Sequence, residues 1–260
     1  TPAANANGTA TIQVRLEDNG DGPAINPLND PISDPKSFNI TVLPVNDAPT
    51  ASDNTVRTDE DEDLVFEAND FGYTDPDNDP LASVSIQSLP ANGDLFLDAN
   101  GDNVLAPGEA ISTTPATVTA GQLNLGRLVF RPDTDDNGNA NASFNFNVSD
   151  GSLSSSPDNT ITIDILPVND EPIFTASNVT VDEDDASTTP ITGWATLDAG
   201  PADEDANQDV ERYIVSNVSN GALLSAGPSI NANGDLDFTL AADANGVVTF
   251  EVSVQDDGGI

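Results

Sequence analysis

Cysteine and histidine are both absent from this chain of 260 residues. The lack of cysteine excludes disulfides and thiolate metal sites. The lack of histidine removes the commonest general base, the commonest zinc ligand and the Ser-His-Asp arrangement. Carboxylate-only chemistry such as glycoside hydrolysis would need aromatic rings to line a sugar cleft, and the chain has one Trp and two Tyr. We therefore expect a protein that is not an enzyme.

Positive charge is also scarce, since six Lys and Arg face 45 Asp and Glu for a formal net charge of −39. Six basic residues cannot build the basic stripe of a nucleic-acid-binding surface, and an anionic membrane surface would repel the chain. No apolar run is long enough to span a bilayer. We predict neither nucleic-acid partners nor membrane insertion. The sequence opens without an initiator Met or a signal peptide, and we interpret it as a stretch of a larger protein.

The acidic residues are unevenly distributed, in short turn-like clusters between alternating apolar runs. Like charges oppose compaction unless cations neutralise them. One interpretation is an acidic chain that is solvated throughout, as in halophilic or disordered proteins. The other is a set of cation sites with oxygen ligands. The clustering favours the cation sites.

Internal repeats organise the chain. The heptapeptide "LPVNDAP" at 43–49 returns as "LPVNDEP" at 166–172. Each copy follows an alternating run, "SFNITVL" or "TITIDIL", and such alternation predicts a half-buried strand. The inward residues of the two strands are Phe38, Ile40 and Val42, then Ile161, Ile163 and Ile165.

A second repeated element is a strand that ends in an acidic residue and a glycine, which favours a tight turn. Its three copies end at Gly20, Gly151 and Gly258. The inward residues are Ile12, Val14 and Leu16, then Phe144, Phe146 and Val148, then Phe250, Val252 and Val254. Two acidic elements also recur, "TDEDED" at 58–63 with "VDEDD" at 181–185, and "DPDND" at 75–79 with "DEDAN" at 203–207.

These repeats predict the domain layout. Residues 1–43 carry the last strands of a preceding or complemented module, residues 44–166 form a complete module, and residues 167–260 form a module without its last strand. Nineteen Gly and nineteen Pro divide the chain into short pieces. Many short strands with regular turn signals predict an all-β fold built from β-sandwich modules. A single helical turn is expected within "VTAGQLNLG" at 118–126.

The motifs "VNDAP", "DEDED", "DPDNDPL", "PANGDLFLD" and "VSDG" together resemble the cadherin-like tandem repeats of large secreted, RTX-type bacterial adhesins. The resemblance covers nearly the whole chain. It implies cadherin/Ig-like Greek-key sandwiches arranged end to end, an extracellular or cell-surface location, and calcium at the junctions between modules. Cadherin linkers read Asp-x-Asn-Asp, whereas Pro44 and Pro167 replace the first acid here, a departure that argues against a full three-ion junction.

Calcium prefers six to eight hard oxygen ligands, and alternate residues of a turn can point to one centre. Such spacing occurs in Asp75, Asp77 and Asp79 and in Asp203 and Asp205. By the resemblance, the junction residues Asn169 and Asp170 would join acids of the preceding module, with Asn46 and Asp47 in the equivalent place upstream. The remaining candidate ligands in the acidic repeats are Asp59, Glu60 and Asp61, then Asp182, Glu183 and Asp184. The alternative is that these are ordinary polar turns.

The most specific single pattern is "DANGDNVLAPGE" at 98–109. Asp98, Asn100, Asp102 and Glu109 occupy positions 1, 3, 5 and 12 of a twelve-residue calcium loop, and Val104 would offer its carbonyl at position 7. Position 6 is normally Gly but is Asn in this chain; Asn tolerates the left-handed conformation. The flanking "DLFL" predicts a β-hairpin rather than helices, so the alternative is an acidic hairpin that holds no ion.

We therefore expect a calcium-stabilised stalk or spacer of an extracellular adhesin or surface filament, which mediates attachment or biofilm formation. Its partners would be neighbouring repeats and, through other domains, a glycan or surface ligand. One alternative is a calcium-dependent carbohydrate- or protein-binding module that uses the loops at 19–36 or 195–206. Another is a filament subunit in which "SFNITVL" completes the 167–260 module of a neighbouring chain by strand exchange. The opposing interpretation of the two partial modules is that the sequence is an arbitrary piece of a longer array.

Overall fold

The computed structural model describes residues 1–3, 5–16, 34–183, 190–201, 204 and 208–258. The chain divides into two compact units, Thr1–Leu166 and Pro167–Ile260. Most of the loop at 19–36, part of the loop at 195–206, and Asp184, Asp203 and Asp205 lie outside the described residues. Within the described ranges, no helix has the length and apolar character needed to cross a membrane.

The described part of unit 1 contains ten strands and two short helical turns. The strands are β1 Gly8–Val14, β2 Lys36–Val42, β3 Asn54–Asp59, β4 Leu64–Val65, β5 Ser83–Ile86, β6 Asp94–Leu97, β7 Ala116–Thr119, β8 Leu128–Arg131, β9 Gly138–Ser149 and β10 Asn159–Leu166. The turns are a 3-10 turn at Ala68–Phe71 and α1 at Ala120–Leu123. The side chains of Thr119 and Gln122 cap α1 reciprocally, and the turn predicted there is confirmed.

Strands β3 to β10 form two sheets that enclose one core. The larger sheet has the order β3-β10-β9-β5-β7, and the smaller has the order β4-β8-β6. Strand β10 lies between two partners, because it pairs antiparallel with β9 and parallel with β3. The prediction of an all-β sandwich is confirmed for this unit.

The core of unit 1 is rich in phenylalanine. Phe66 meets Phe144 edge-on at a ring-centroid distance of 5.4 Å, and Phe71 meets Phe146 at 4.9 Å. Both β9 and β10 alternate as predicted, since their inward residues are at most 1% exposed, namely Phe144, Phe146, Val148, Ile161, Ile163 and Ile165. Burial of such side chains is the main favourable term in folding.

Strands β1 and β2 form a separate two-stranded antiparallel sheet. Ile12 lies opposite Phe38, in a register that runs from Gly8 opposite Val42 to Val14 opposite Lys36. The apolar face of this hairpin is open to solvent, with Phe38 58% and Ile40 53% exposed. Among the described residues, the inward face predicted for these strands packs against no core.

The described part of unit 2 contains six strands in three two-stranded sheets. They are β11 Ile173–Ala176, β12 Ala195–Asp198, β13 Val210–Ser216, β14 Leu224–Ile230, β15 Leu236–Leu240 and β16 Glu251–Asp256, with a 3-10 turn at Gly221–Leu223. The pairs are β11-β12, β13-β16 and β14-β15. Within the described part of this unit, the buried apolar residues are Ala195, Ala199, Tyr213 and Leu236, so its core is smaller than that of unit 1.

We expect Leu128→Ala in β8 to lower the free energy of unfolding by about 2–5 kcal/mol, because it removes a fully buried side chain and leaves a cavity. The matched control is Leu125→Ala, three residues away, where the side chain is 71% exposed and the expected change is within about 0.5 kcal/mol. Urea denaturation followed by far-UV circular dichroism measures both. Equal losses in the two variants would contradict the placement of β8 in the core.

Candidate metal centres

Asp75, Asp77 and Asp79 are held in one turn that precedes β5. Asp75 Oδ1 accepts hydrogen bonds from the backbone N–H groups of Asp77 at 2.8 Å and Asp79 at 3.1 Å. The left-handed φ of 64° at Asn78 allows the chain to curl around that oxygen. One carboxylate oxygen from each of the three aspartates lies within 4.8 Å of the others. The spacing read from the sequence therefore does bring these three side chains together.

The segment before β3 is tied to this turn. The backbone N–H of Asp47 donates to Asp77 Oδ2 at 2.7 Å, and Asn46 Nδ2 donates to Asp150 Oδ2 at 2.8 Å. Asp150 follows the last residue of β9 and was not among the predicted ligands. The sequence feature that could have identified Asp150 is the strand ending "VSDG". Strand β9 ends there and places Asp150 at the same end of the unit as the turn at 75–79. We call this group of residues the Asp75 cluster: Asn46, Asp47, Asp75, Asp77, Asp79 and Asp150.

The pKa shifts of Tyr73 and Asp150 also indicate that these acidic side chains lie close together. Burial raises the pKa of Tyr73, and the negative charges of Asp75, Asp150 and Asp79 raise that pKa further. The Tyr73 hydroxyl donates to the Asp79 carbonyl at 2.7 Å. The Asn46 amide lowers the pKa of Asp150, as do the backbone N–H groups of Leu153 and Ser152. The carboxylate of Asp150 is thus held in its charged form within the Asp75 cluster.

One oxygen of the Asp75 cluster receives no hydrogen bond from the residues that the structure describes. Asp75 Oδ2 is buried, and no donor among the described residues reaches it. A buried polar atom without a partner costs free energy, so such atoms usually mark a bound water or ion. The atom lies beside a group of carboxylates, which is the arrangement that a hard cation prefers.

Unit 2 repeats this arrangement with different side chains. The backbone N–H of Asp170 donates to Glu204 Oε1 at 3.1 Å, as that of Asp47 does to Asp77. Asn169 Nδ2 donates to the Asp170 carbonyl at 3.1 Å, as Asn46 Nδ2 does to the Asp47 carbonyl at 3.3 Å. We call this group the Glu204 cluster: Asn169, Asp170, Glu204 and Gln208.

Three oxygens of the Glu204 cluster are buried without a donor among the described residues: Asn169 Oδ1, Glu204 Oε2 and Gln208 Oε1. Glu204 as a whole is only 6% exposed. A side-chain carbon at Gly258 would overlap both Asn169 Oδ1 and Gln208 Oε1, and one at Gly200 would overlap Glu204 Oε2. The two glycines therefore keep these oxygens in a space that admits no side chain.

Sequence reasoning missed Glu204 and Gln208, because it gave weight to Asp203 and Asp205 on the basis of their spacing. Those two aspartates and Asp184 lie outside the described residues. Asp182 and Glu183, from the same acidic repeat as Asp184, are exposed. Glu204 is recognised by its burial in the structure, and no local sequence pattern indicates that burial.

The pattern at 98–109 has a different geometry. The Asp98 carboxylate is fully buried and accepts from the backbone N–H groups of Gly101 at 2.6 Å and Asn103 at 3.1 Å. An Arg127 nitrogen lies 3.6 Å from its Oδ1. The Glu109 oxygens accept from the backbone N–H groups of Ala99 and Ala106, both at 2.9 Å.

The rest of that loop is held by side chain–backbone bonds. Asn100 Nδ2 donates to Asp102 Oδ2 at 2.7 Å, and Asp102 Oδ1 accepts from the backbone N–H of Val104 at 2.9 Å. Asn103 adopts the left-handed conformation expected of it, with a φ of 55°. Within the described residues, Asp98, Asp102 and Glu109 do not form a group of carboxylate oxygens as close as that of Asp75, Asp77 and Asp79.

The acidic repeat after β3 is also bonded within unit 1. Glu60 is 4% exposed, its backbone N–H donates to the Leu166 carbonyl at 2.9 Å, and its Oε2 accepts from Asn137 Nδ2 at 3.0 Å. Asp59 and Asp61 are exposed. The structure therefore uses Glu60 to fasten the end of β10 beside the end of β3.

A sequence model described as a bacterial Ig domain matches residues 46–164 and again residues 169–260, which together make up most of the chain. The chain belongs to the bacterial Ig domain family. Bacterial Ig domains typically lie on extracellular surface proteins and are typically not enzymes. The prediction of an all-β, Ig-like sandwich repeat is confirmed. A comparison with curated proteins gives no match.

Solved structures resemble these bacterial Ig domains only distantly. Drosophila N-cadherin EC1-4 is 16% identical over 97% of this chain and 54% of that chain, with a TM-score of 0.39. An endo-fucoidan hydrolase of glycoside hydrolase family 107 is 16% identical over 100% of this chain and 33% of that chain, with a TM-score of 0.29. Murine CEACAM1b is 15% identical over 80% of this chain and 95% of that chain, with a TM-score of 0.21. Family membership therefore rests on the sequence match, and the chain spans about a third of the hydrolase and about half of the N-cadherin.

We expect Asp98 to contribute to acid sensitivity in a calcium-free buffer. Burial raises its pKa, but the N–H groups of Gly101 and Asn103 and the charge of Arg127 lower it more, so the net pKa is below the ordinary 3.8. A lowered folded-state pKa stabilises the fold above the unfolded pKa, and this stability is lost as the pH falls through the folded pKa. Urea denaturation between about pH 5 and pH 2 should show a smaller acid-induced loss for Asp98→Asn than for the wild type.

The matched control for this experiment is Asp102→Asn in the same loop. Its side chain is exposed, so this variant measures the effect of removing one negative charge from the loop without removing a buried carboxylate. The assignment to Asp98 is wrong if the two variants respond alike.

Proposed function

We propose that this chain is a calcium-stabilised structural repeat of an extracellular adhesin or surface filament, and that it serves as a stalk rather than an enzyme. The observation that carries the proposal is a pair of buried carboxylate oxygens, Asp75 Oδ2 and Glu204 Oε2, which receive no hydrogen bond from the described residues. Each lies beside the Asn-Asp of a repeated "LPVND" motif. Family membership supports the extracellular location.

The ligand chemistry favours calcium over other ions. Both clusters offer only carboxylate, carboxamide and backbone oxygens, which suit hard cations. Zinc would normally recruit histidine or cysteine, and the chain contains neither. Magnesium requires a near-ideal octahedron and keeps several waters, whereas calcium accepts irregular sets of six to eight oxygens. Carboxylates from one tight turn together with an amide oxygen match the calcium pattern.

The clusters give calcium a mechanical role. Like charges about 4 Å apart repel by about 1–4 kcal/mol per pair, depending on the local dielectric, so the Asp75 cluster is strained without a counter-ion. A cation at Asp75 Oδ2 would draw the turn at 75–79, the segment at 46–47 and the end of β9 together. The same reasoning applies to Asn169, Glu204 and Gln208 in unit 2.

Binding would stabilise the folded chain through linkage. Extracellular calcium modules bind with dissociation constants of about 0.1–1 mM, close to external calcium levels. At a free calcium concentration ten times the dissociation constant, one site adds about 1.4 kcal/mol to the free energy of unfolding. The chain would therefore be rigid where calcium is plentiful and softer where it is scarce.

We expect isothermal titration calorimetry of the calcium-free chain to detect at least one site in each unit. Asp75→Asn/Asp77→Asn should abolish the site in unit 1, because it removes two carboxylate charges while it keeps the side-chain volumes. Glu204→Gln should weaken the site in unit 2 at least about tenfold, since it neutralises the buried carboxylate of that cluster.

The matched control is Asp237→Asn on β15, which removes an exposed charge outside both clusters and should leave the stoichiometry unchanged. Calorimetric melting with and without a chelator provides a second readout, with a higher melting temperature in calcium. The proposal is wrong if the chelator leaves the melting temperature unchanged and no heat of calcium binding is measured.

A further inference from the structure

The base of the loop at 98–109 is fixed by backbone hydrogen bonds. The Leu97 N–H donates to the Glu109 carbonyl at 2.9 Å, which closes the loop on itself. The Asp98 N–H donates to the Arg127 carbonyl at 2.8 Å, so the first residue of the loop lies beside the residue that precedes β8. The side chain of Arg127 therefore starts from a fixed point next to the loop.

The guanidinium group of Arg127 lies against the start of this loop. Its Nη1 lies 3.6 Å from Asp98 Oδ1 and donates to the Asp98 carbonyl at 3.4 Å. The side chain of Asp98 is 1% exposed and that of Arg127 is 22% exposed, so salt in the solvent screens this ion pair only weakly. A side-chain carbon at Gly101 would overlap the guanidinium. The glycine therefore leaves free the space that the positive charge occupies.

A second arginine contacts the middle of the same loop. Arg131, the last residue of β8, donates from its Nη2 to the Asn103 carbonyl at 3.0 Å. The same guanidinium forms two hydrogen bonds with the carboxylate of Asp63. A carbonyl oxygen from the middle of the loop is thus bound by a positive charge of the protein itself.

The two acids at the ends of the loop have all four of their carboxylate oxygens hydrogen-bonded to backbone N–H groups. Those of Asp98 accept from Gly101 and Asn103, and those of Glu109 accept from Ala99 and Ala106. In a twelve-residue calcium loop, these two positions supply oxygens to the ion. Asp75 differs, because its Oδ2 receives no hydrogen bond from the described residues.

We propose that Arg127 is the internal cation of the loop at 98–109, and that it keeps this loop folded without calcium and excludes calcium from it. An arginine is protonated at every physiological pH. A divalent ion at Asp98 Oδ1 would lie close to that positive charge and would be repelled by it. The loop then keeps one conformation at every calcium concentration.

This role makes Arg127 a residue that determines which acidic turns respond to calcium. The Asp75 and Glu204 clusters are the turns that respond, and this step alone rests on the proposed function. The exclusion of calcium from the loop at 98–109 depends only on the ion pair between Arg127 and Asp98, so it can be tested separately.

Isothermal titration calorimetry of Arg127→Met tests the proposal, because methionine removes the charge and the donors while it keeps an unbranched side chain. We expect the variant to bind one more calcium ion per chain than the wild type. It should be less stable than the wild type in a chelator, since Asp98 has lost its charged partner. Calcium should raise its melting temperature by more than it raises that of the wild type.

Three further variants isolate the charge at this position. Arg127→Lys keeps the positive charge and should bind as many calcium ions as the wild type. Arg57→Met removes an equal charge from the ion pair with Asp164 and should also leave the number of ions unchanged. Asp98→Asn/Arg127→Met should lose the additional ion, because it removes the carboxylate that would bind it.

Hydrogen exchange of the wild-type chain, followed by mass spectrometry, needs no variant. Exchange in a peptide of residues 98–109 should be the same in calcium and in a chelator. In a peptide of residues 73–80, the proposed function predicts exchange about tenfold slower at a free calcium concentration ten times the dissociation constant. Unchanged exchange at 73–80 would count against the calcium site at the Asp75 cluster and not against the role of Arg127.

Three results would overturn the role of Arg127. The first is an Arg127→Met chain that binds no more calcium than the wild type. The second is an equal gain in Arg57→Met, which would make it an effect of net charge. The third is wild-type exchange at 98–109 that slows when calcium is added, which would show that the loop itself responds to the ion.

Discussion

A carboxylate oxygen removed from water needs either a hydrogen-bond donor or a cation. This chain has few cations of its own, and Arg57, Arg127 and Arg131 already pair with Asp164, Asp98 and Asp63 in unit 1. Asp75 and Glu204 each bury one oxygen that receives no hydrogen bond from the part of the chain that the structure describes. Because these atoms lie beside the Asn-Asp of a repeated motif, the same requirement arises once in each unit, and the proposed role of calcium follows from it.

The structure separates two kinds of acidic turn that look alike in the sequence. Asp98 begins the best match to a known calcium loop, yet backbone N–H groups bind both of its oxygens and Arg127 lies beside one of them. Asp75 begins a shorter and less specific pattern, and none of the described residues donates a hydrogen bond to its Oδ2. Spacing along the chain determines whether ligands can converge, whereas the backbone path determines which oxygens remain available to an ion.

The sequence was sufficient for the fold class because alternation in β9 and β10 has a direct physical cause, the burial of one strand face. It also identified the turn at 75–79, whose geometry is local. Asp150 and Glu204 were not predicted, since their roles depend on contacts with Asn46 and Asp170 that are distant in sequence. Glu204 Oε2 also lies where a side-chain carbon at Gly200 would fall, a contact that no periodicity reveals.

The parallel pairing of β3 with β10 has a consequence for a chain that bears tension. The sandwich of unit 1 begins at β3 and ends at β10, and Asn54 to Asp59 pair in register with Ile161 to Leu166. A pull on the two ends of this sandwich acts along both strands in opposite directions. The hydrogen bonds between them are then loaded in shear, so they must break together rather than one after another. An attachment stalk built from such units would resist extension at the pair of strands that joins its ends.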